Sequence, residues 1–171
     1  MAIYDDDGTA CLEIGKIYDN NGPTTSQIGK VYDDDGTTTR LVYSAEENFT
    51  LTTSVQQGTS KQWGTATKTI SGYKKIKNIV VHPGKSYGTT QTIFAIVRGA
   101  VSINNSIKTF YNQDRYYNAE GWWTGSDTVQ ISDTYDSLQD GDVLFFQVGA
   151  SYDPNLSGSH TSTGSVTFTL E

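Results

Sequence analysis

The chain closes in strict alternation: Val166, Phe168 and Leu170 are apolar, and Ser165, Thr167 and Thr169 beside them are polar. A period of two marks a strand with one buried face. Val129 and Ile131 alternate in the same way, and so do Phe49 and Leu51. Ile93–Val97 is an unbroken apolar run, and so is Val143–Phe146, continued by Val148; such runs suit central strands. Ile76, Ile79, Val80 and Val81 lead into the turn His82-Pro83-Gly84. No window of about twelve residues carries a helical stripe. Gly, Asn, Asp and Ser turns separate the segments at short intervals, which predicts a β-sandwich of jelly-roll type over residues 45–171.

The first 44 residues follow another rule. Ile-Tyr-Asp-Asp-Asp-Gly-Thr (Ile3–Thr9) returns as Ile-Tyr-Asp-Asn-Asn-Gly-Pro (Ile17–Pro23) and as Val-Tyr-Asp-Asp-Asp-Gly-Thr (Val31–Thr37), with Tyr4, Tyr18 and Tyr32 spaced by 14 residues. The tripeptide Ile-Gly-Lys keeps the same beat at Ile14–Lys16 and Ile28–Lys30. Asp-Gly and Asn-Gly between β-rich residues tolerate the positive φ of tight hairpin turns, so each unit is predicted to be a short β-hairpin. One unit offers few large apolar groups: Ile14, Ile17 and Tyr18 in the second. At about 1.5–3 kcal/mol per buried side chain these cannot offset backbone ordering at roughly 1–2 kcal/mol per residue. The repeats must bury their faces on another body, and Tyr4, Ile14, Ile17, Tyr18, Ile28, Val31 and Tyr32 are the candidate anchoring residues.

Composition sharpens this division. Apolar residues are 35% of the 171 and charged residues only 18%, while 17 glycines supply turns, a balance that suits an all-β chain. The net charge of −7 argues against a nucleic-acid partner, whose phosphates need an excess of Lys and Arg. Much of it lies in the repeats: Asp5, Asp6, Asp7, Glu13, Asp19, Asp33, Asp34 and Asp35 face only Lys16, Lys30 and Arg40. Cys11 is the sole cysteine, which excludes an internal disulfide. Asp5–Asp7 disrupt any apolar leader and no apolar run is long enough to span a bilayer, so synthesis in the cytoplasm without a signal peptide, and no membrane partner, are expected.

The pattern Ile-Gly-Lys-Val-Tyr-Asp-Asp-Asp-Gly-Thr-Thr (Ile28–Thr38), followed by Leu41-Val42-Tyr43, resembles the short repeats of minor structural proteins of tailed bacteriophages, especially those of Gram-positive hosts. The resemblance covers Ile3 to Ser44. It implies a virion component of the head, neck or tail, of head-fibre, tail-appendage or capsid-decoration type, with the repeats serving attachment. It also implies other virion proteins as partners and self-association, a homotrimer being usual for short fibres. In the first repeat Cys11-Leu12-Glu13 stands where the second has Thr25-Ser26-Gln27. A shorter likeness runs from Ser137 to Val148, similar to jelly-roll carbohydrate-binding modules in which a Leu-x-x-Gly-Asp turn enters an apolar strand.

Several residue sets invite chemistry. Gly84-Lys85-Ser86-Tyr87-Gly88 spells a nucleophile elbow, but Thr89–Phe94 after it reads as a strand, where an elbow needs a helix. Asp133, Asp136, Asp140 and Asp142 offer carboxylates for glycoside chemistry, and Asp140, Asp142 and Asp153 offer them for calcium; the acidic repeat turns offer calcium another site. No acid, base or nucleophile stands out, and the expectation is a non-enzyme without a cofactor, calcium being the one exception entertained. Tyr111, Tyr116, Tyr117, Trp122 and Trp123 crowd into a polar stretch that reads as a loop. Rings in such company suit stacking on a host-surface glycan or anchoring a protein partner. The sequence therefore predicts an all-β, two-part chain: a repeat arm over 1–44 and a displayed β-sandwich over 45–171, with a glycan-binding adhesin as the alternative role.

Overall fold

A computed structural model of the chain describes residues 46–171 except 59, 87, 118–124 and 152–159, and six short strands within residues 1–45. The chain divides into two units, Met1–Ala45 and Glu46–Glu171. The first contains three antiparallel hairpins: β1 (Ile3–Tyr4) with β2 (Ala10–Cys11), β3 (Ile17–Tyr18) with β4 (Thr25–Ser26), and β5 (Lys30–Asp34) with β6 (Thr39–Ser44). The first strand of each carries the repeated apolar–Tyr pair. Tyr4 faces Ala10, whereas Tyr18 faces Thr25, one position later than the repeat would place it. Pro23, which has no N–H to offer a ladder, stands within that second unit.

The second unit has eight strands: β7 (Glu47–Gln56), β8 (Gln62–Thr69), β9 (Ile76–Lys85), β10 (Gly88–Val97), β11 (Ser106–Tyr117), β12 (Val129–Ile131), β13 (Val143–Ala150) and β14 (Thr161–Leu170). They form two four-stranded sheets, ordered β11-β10-β13-β8 and β12-β9-β14-β7. The pairing is nested. The first strand pairs with the last, the second with the seventh, the third with the sixth and the fourth with the fifth, all antiparallel. Cross-pairs β9·β14 and β10·β13 close each sheet. This is the topology of a jelly roll. It puts the strand ends Gln56, Gln62, Lys85, Gly88, Tyr117, Val129, Ala150 and Thr161 at one end. Glu46, the connections 70–75, 98–105 and 132–142, and Glu171 lie at the other.

A chain of aromatic rings joins the sheets. Phe94 of β10 stacks on Phe168 of β14, with centroids 5.7 Å apart, and on Phe110 of β11 at 5.5 Å. Phe168 stacks in turn on Phe49, whose edge meets Tyr73. Burial and the Glu47 carboxylate push the Tyr73 phenol up to about 12. Around them Ile76, Ile96, Leu138, Leu144, Phe146, Val166 and Leu170 are all but inaccessible. Toward the far end the interior turns small and polar. There Thr90 Oγ1 donates to the Gly84 carbonyl (2.8 Å), and the Gly84 amide donates to Thr92 Oγ1 (2.9 Å). These bonds tie β9 to β10 where the chain passes from one sheet to the other.

The unbroken apolar runs and the alternating ones separate as the physics requires. β10 and β13 are neighbours in the first sheet, and their outer faces carry a second cluster of Ile93, Val97, Val143 and Phe145 with Ile103 packed against it. β14 is also central, yet it alternates because its outer face is polar. The Leu-x-x-Gly-Asp turn is structural. Leu138 is buried, Gly141 adopts φ +91°, and the Asp142 carboxylate accepts the Gln139 amide (3.0 Å) and a two-pronged Arg98 pair (2.7 and 2.9 Å).

Two predictions follow from this packing. Phe94→Ala removes the ring shared by both sheets and costs about 3–5 kcal/mol in denaturant unfolding. The Arg98 guanidinium holds the buried Asp142 carboxyl below its ordinary value. A depressed folded pKa contributes stability that is full above the unfolded value of about 3.9 and lost as pH falls through the folded one. Thermal unfolding of Arg98→Met should therefore show its largest deficit against the native chain near neutral pH, shrinking below about pH 4.

Candidate functional site

Of the aromatic residues singled out in the sequence, Tyr111 is buried and Tyr116 is exposed. Tyr111, Tyr116 and Tyr117 belong to strand β11, not to a loop. β11 lies at the edge of its sheet, so its outer positions are wet and its sequence looks polar. A bulge between β10 and β11 leaves Phe110 without a partner, since Phe94 pairs with Tyr111 and Ala95 with Thr109. Phe110 and Tyr111 both reach the core as a result. Tyr111 is 4% exposed, which corrects its place among the ligand-contacting candidates. Its hydroxyl accepts a bond from Arg115 Nε (2.8 Å). Tyr116 is 42% exposed on the outer face. The Tyr117 side chain, Trp122 and Trp123 lie outside the described residues.

Arg115 organises the return of the 118–128 connection. It is 6% exposed, and its Nη1 donates to the Ser126 carbonyl (2.7 Å). A Cβ at Gly125 would stand 2.2 Å from that same nitrogen, and its φ of +109° favours glycine where the backbone passes over the guanidinium. Lys85 with Asp127 (3.4 Å) and His82 Nδ1 with Thr128 Oγ1 (3.2 Å) hold the next two residues to β9. Residues 126–128 are therefore fixed to the body of the sandwich.

The outer face of the first sheet, toward this same end, holds a ring that sequence reasoning passed over. Trp63, in the edge strand β8, is 42% exposed. A Cβ on Gly149 of β13 would meet Cζ3, Cε3 and Cη2 of Trp63 at 2.5, 2.7 and 2.9 Å. Three ring atoms at similar distance mean that the indole lies face-down on the glycine backbone. Pairing places Trp63, Gly149, Gln91 and Asp114 in one row across all four strands. Lys61 Nζ sits 4.9 Å from the indole centroid, donates to Gln91 Oε1 (2.7 Å) and pairs with Asp114 (3.4 Å). Gln91 Nε2 donates to Asn112 Oδ1 (2.9 Å), and Gln147 Nε2 to Thr65 Oγ1 (3.1 Å). The sequence signal for Trp63 was weak, since its neighbours Gln62 and Gly64 give no pattern; only pairing reveals Gly149 beneath it.

The other candidate chemistries have structural employment. Ser86 lies between β9 and β10, a strand-to-strand connection, and its hydroxyl accepts from Gln57 Nε2 (3.1 Å). Asp133 pairs with Lys108 at 2.5 Å, which holds its carboxyl below the ordinary value. Asp136 accepts from the Ser137 hydroxyl, Asp140 from the Gly72 amide, and Asp142 serves Arg98. Among the described residues no group of three or more His, Cys, Asp or Glu side chains could hold a metal ion. Asp153 and the acidic repeat turns, where calcium was entertained, lie outside them, as do the anchoring candidates Ile14 and Ile28. Tyr4, Ile17, Tyr18, Val31 and Tyr32 occupy first strands of the hairpins. No helix is long and apolar enough to cross a membrane.

No family model matches the chain, and no curated protein does. Among solved structures, the crystal structure of the infectious bursal disease virus VP2 subviral particle is similar at 13% identity and TM-score 0.39, covering 80% of this chain and 36% of that one. The T=1 particles derived from infectious bursal virus give 11% identity and TM-score 0.39, with 91% and 40% covered. The Gx strain of the same virus gives 11% and 0.38, with 80% and 36% covered. The chain thus spans well under half the length of these proteins.

Arg115→Leu should leave the sheets paired but free the returning leg of the loop. Losing a hydrogen bond from a charged donor, worth about 1.5–3 kcal/mol, should speed amide exchange at residues 125–128 by roughly tenfold or more, while β10 and β13 stay protected.

Proposed function

We propose that this chain is a virion structural protein, an appendage or decoration protein of a tailed phage, attached through its N-terminal hairpins and displaying a jelly roll. The observation that carries the reading is the threefold hairpin unit. Three copies begin on the same apolar–Tyr pair, at Ile3, Ile17 and Val31, and each is too poor in apolar side chains to hold itself together. Such units gain stability by laying equivalent faces on a partner, which is an attachment device. Their likeness to phage repeats names the kind of particle. The jelly roll supports the same reading from the other side. Its nested pairing puts Glu46, where the sandwich begins, at one end, and the strand ends Gln56, Lys85, Tyr117 and Ala150 at the opposite end. A body held at the first end presents the second.

The role is mechanical, with no catalytic step, and the partners are other virion proteins and further copies of this chain. A homotrimer is the proposed state. Its sedimentation-equilibrium mass would be three times the 18.7 kDa of one chain, and a monomer at working concentration would count against it.

Attachment is tested on the full chain. Tyr4→Ala, Tyr18→Ala and Tyr32→Ala together should abolish co-sedimentation with particles assembled without this protein, while the sandwich keeps its melting temperature. Each single substitution should weaken it by about tenfold or less, because three equivalent contacts share the load. Undiminished particle binding by the triple variant would remove the hairpins from attachment and the reading with them.

A further inference from the structure

We propose that the outer face of the sheet β11-β10-β13-β8 is a saccharide-binding platform built on Trp63, with the polar row Gln91, Asn112, Asp114 and Gln147 beside it and Tyr116 at its far edge. The inference concerns the sandwich alone and does not depend on how the hairpins attach.

The platform has the three parts that recognition of a sugar chain needs. The first is a flat apolar ring. Gly149 lets the indole lie face-down on the strand, and the residue remains 42% exposed with Lys61 Nζ over the ring 4.9 Å from its centroid, so a sugar stacks in place of that ammonium. A pyranose presents a face of C–H groups that packs on such a ring, as apolar bodies with polar rims do. The second part is a set of amides with both donor and acceptor atoms, already oriented. Gln91 is held between Lys61 and Asn112, and Gln147 is held by Thr65. Fixing these side chains beforehand removes ordering cost from the bound state.

The third part is the charge balance. Lys61 and Asp114 are the charged members of the network, and they pair with each other. What remains is neutral and amide-rich, which matches a neutral polyhydroxylated ligand and gives no excess of either sign to a phosphate-rich or uronate-rich polymer. A protein partner is also disfavoured. The core of a protein interface is apolar around its anchors, whereas Trp63 is ringed by Lys61, Thr65, Gln91 and Gln147. Across four strands the platform measures about 14 Å, from three interstrand spacings of roughly 4.8 Å. That accommodates a short oligosaccharide lying over the sheet from Trp63 toward Tyr116.

The test uses the full chain against an array of neutral and anionic oligosaccharides, followed by calorimetric titration with the neutral oligosaccharide that binds best. Trp63→Ala should weaken that binding by about tenfold or more, and Trp63→Phe, which keeps a ring, should retain most of it. Gly149→Ala pushes the indole off the strand without deleting it and should weaken binding as well. Thr67→Ala, on the same outer face but outside the row, should bind like the native chain. Melting temperatures of all four variants separate loss of the site from loss of the fold. Binding that survives Trp63→Ala in a folded protein would overturn the proposal. So would preference for anionic polymers, or an array on which nothing neutral binds.

Discussion

The contact between Phe94 and Phe168 is the point on which the sandwich turns. Each residue sits on a central strand of its own sheet, and each also packs on a ring from a neighbouring strand, Phe110 and Phe49 respectively. A jelly roll is a nested ribbon folded over on itself, so hydrogen bonds alone produce two sheets without fixing their separation. The aromatic chain sets it. The bulge that turns Phe110 inward and the burial of Tyr111 beside it accommodate that stack.

At the far end the device changes from apolar packing to hydrogen bonds. Thr90 and Thr92 bind both polar groups of Gly84, and Gln57 reaches Ser86 and the Ser151 carbonyl. Small polar side chains leave room where the strands converge on their loops, and satisfied polar groups tolerate burial there. At the near end charge fastens the chain. Lys77 is shared by Glu46 and Glu171, so the residues that open and close the described sandwich are tied to β9. The two ends of the sandwich are thus differently built.

The two sheets are unequal in what they show to solvent. The second is polar outside along β14, whereas the first carries an apolar cluster toward the near end and the Trp63 row toward the far end. An exposed indole in an edge strand is ordinarily an unremarkable surface feature. Seated on glycine and bordered by paired amides, it has the layout of a binding surface. The glycan-binding role considered from the sequence and the platform on β8 and β13 concern the same chemistry and share Tyr116, but the platform rests on Trp63 and its amides.

The local rules were legible in the chain. Alternation in 166–170, the apolar runs at 93–97 and 143–148, and the turn at Gly141 each specify their own strand or bend, because a period of two and a positive φ are properties of adjacent residues. The hairpin repeats announced themselves for the same reason. What adjacent residues do not contain is pairing. Tyr111 looks like a loop residue until β11 pairs with β10 and a bulge turns it inward. Arg115 looks like a surface cation until Gly125 and Ser126 close over it. Trp63 and Gly149 are far apart in the chain, and only the β8–β13 register lays one on the other. The sequence alone determined the fold class; tertiary structure decided which aromatic rings are core and which are surface, because burial in a sandwich is set by which strands become neighbours.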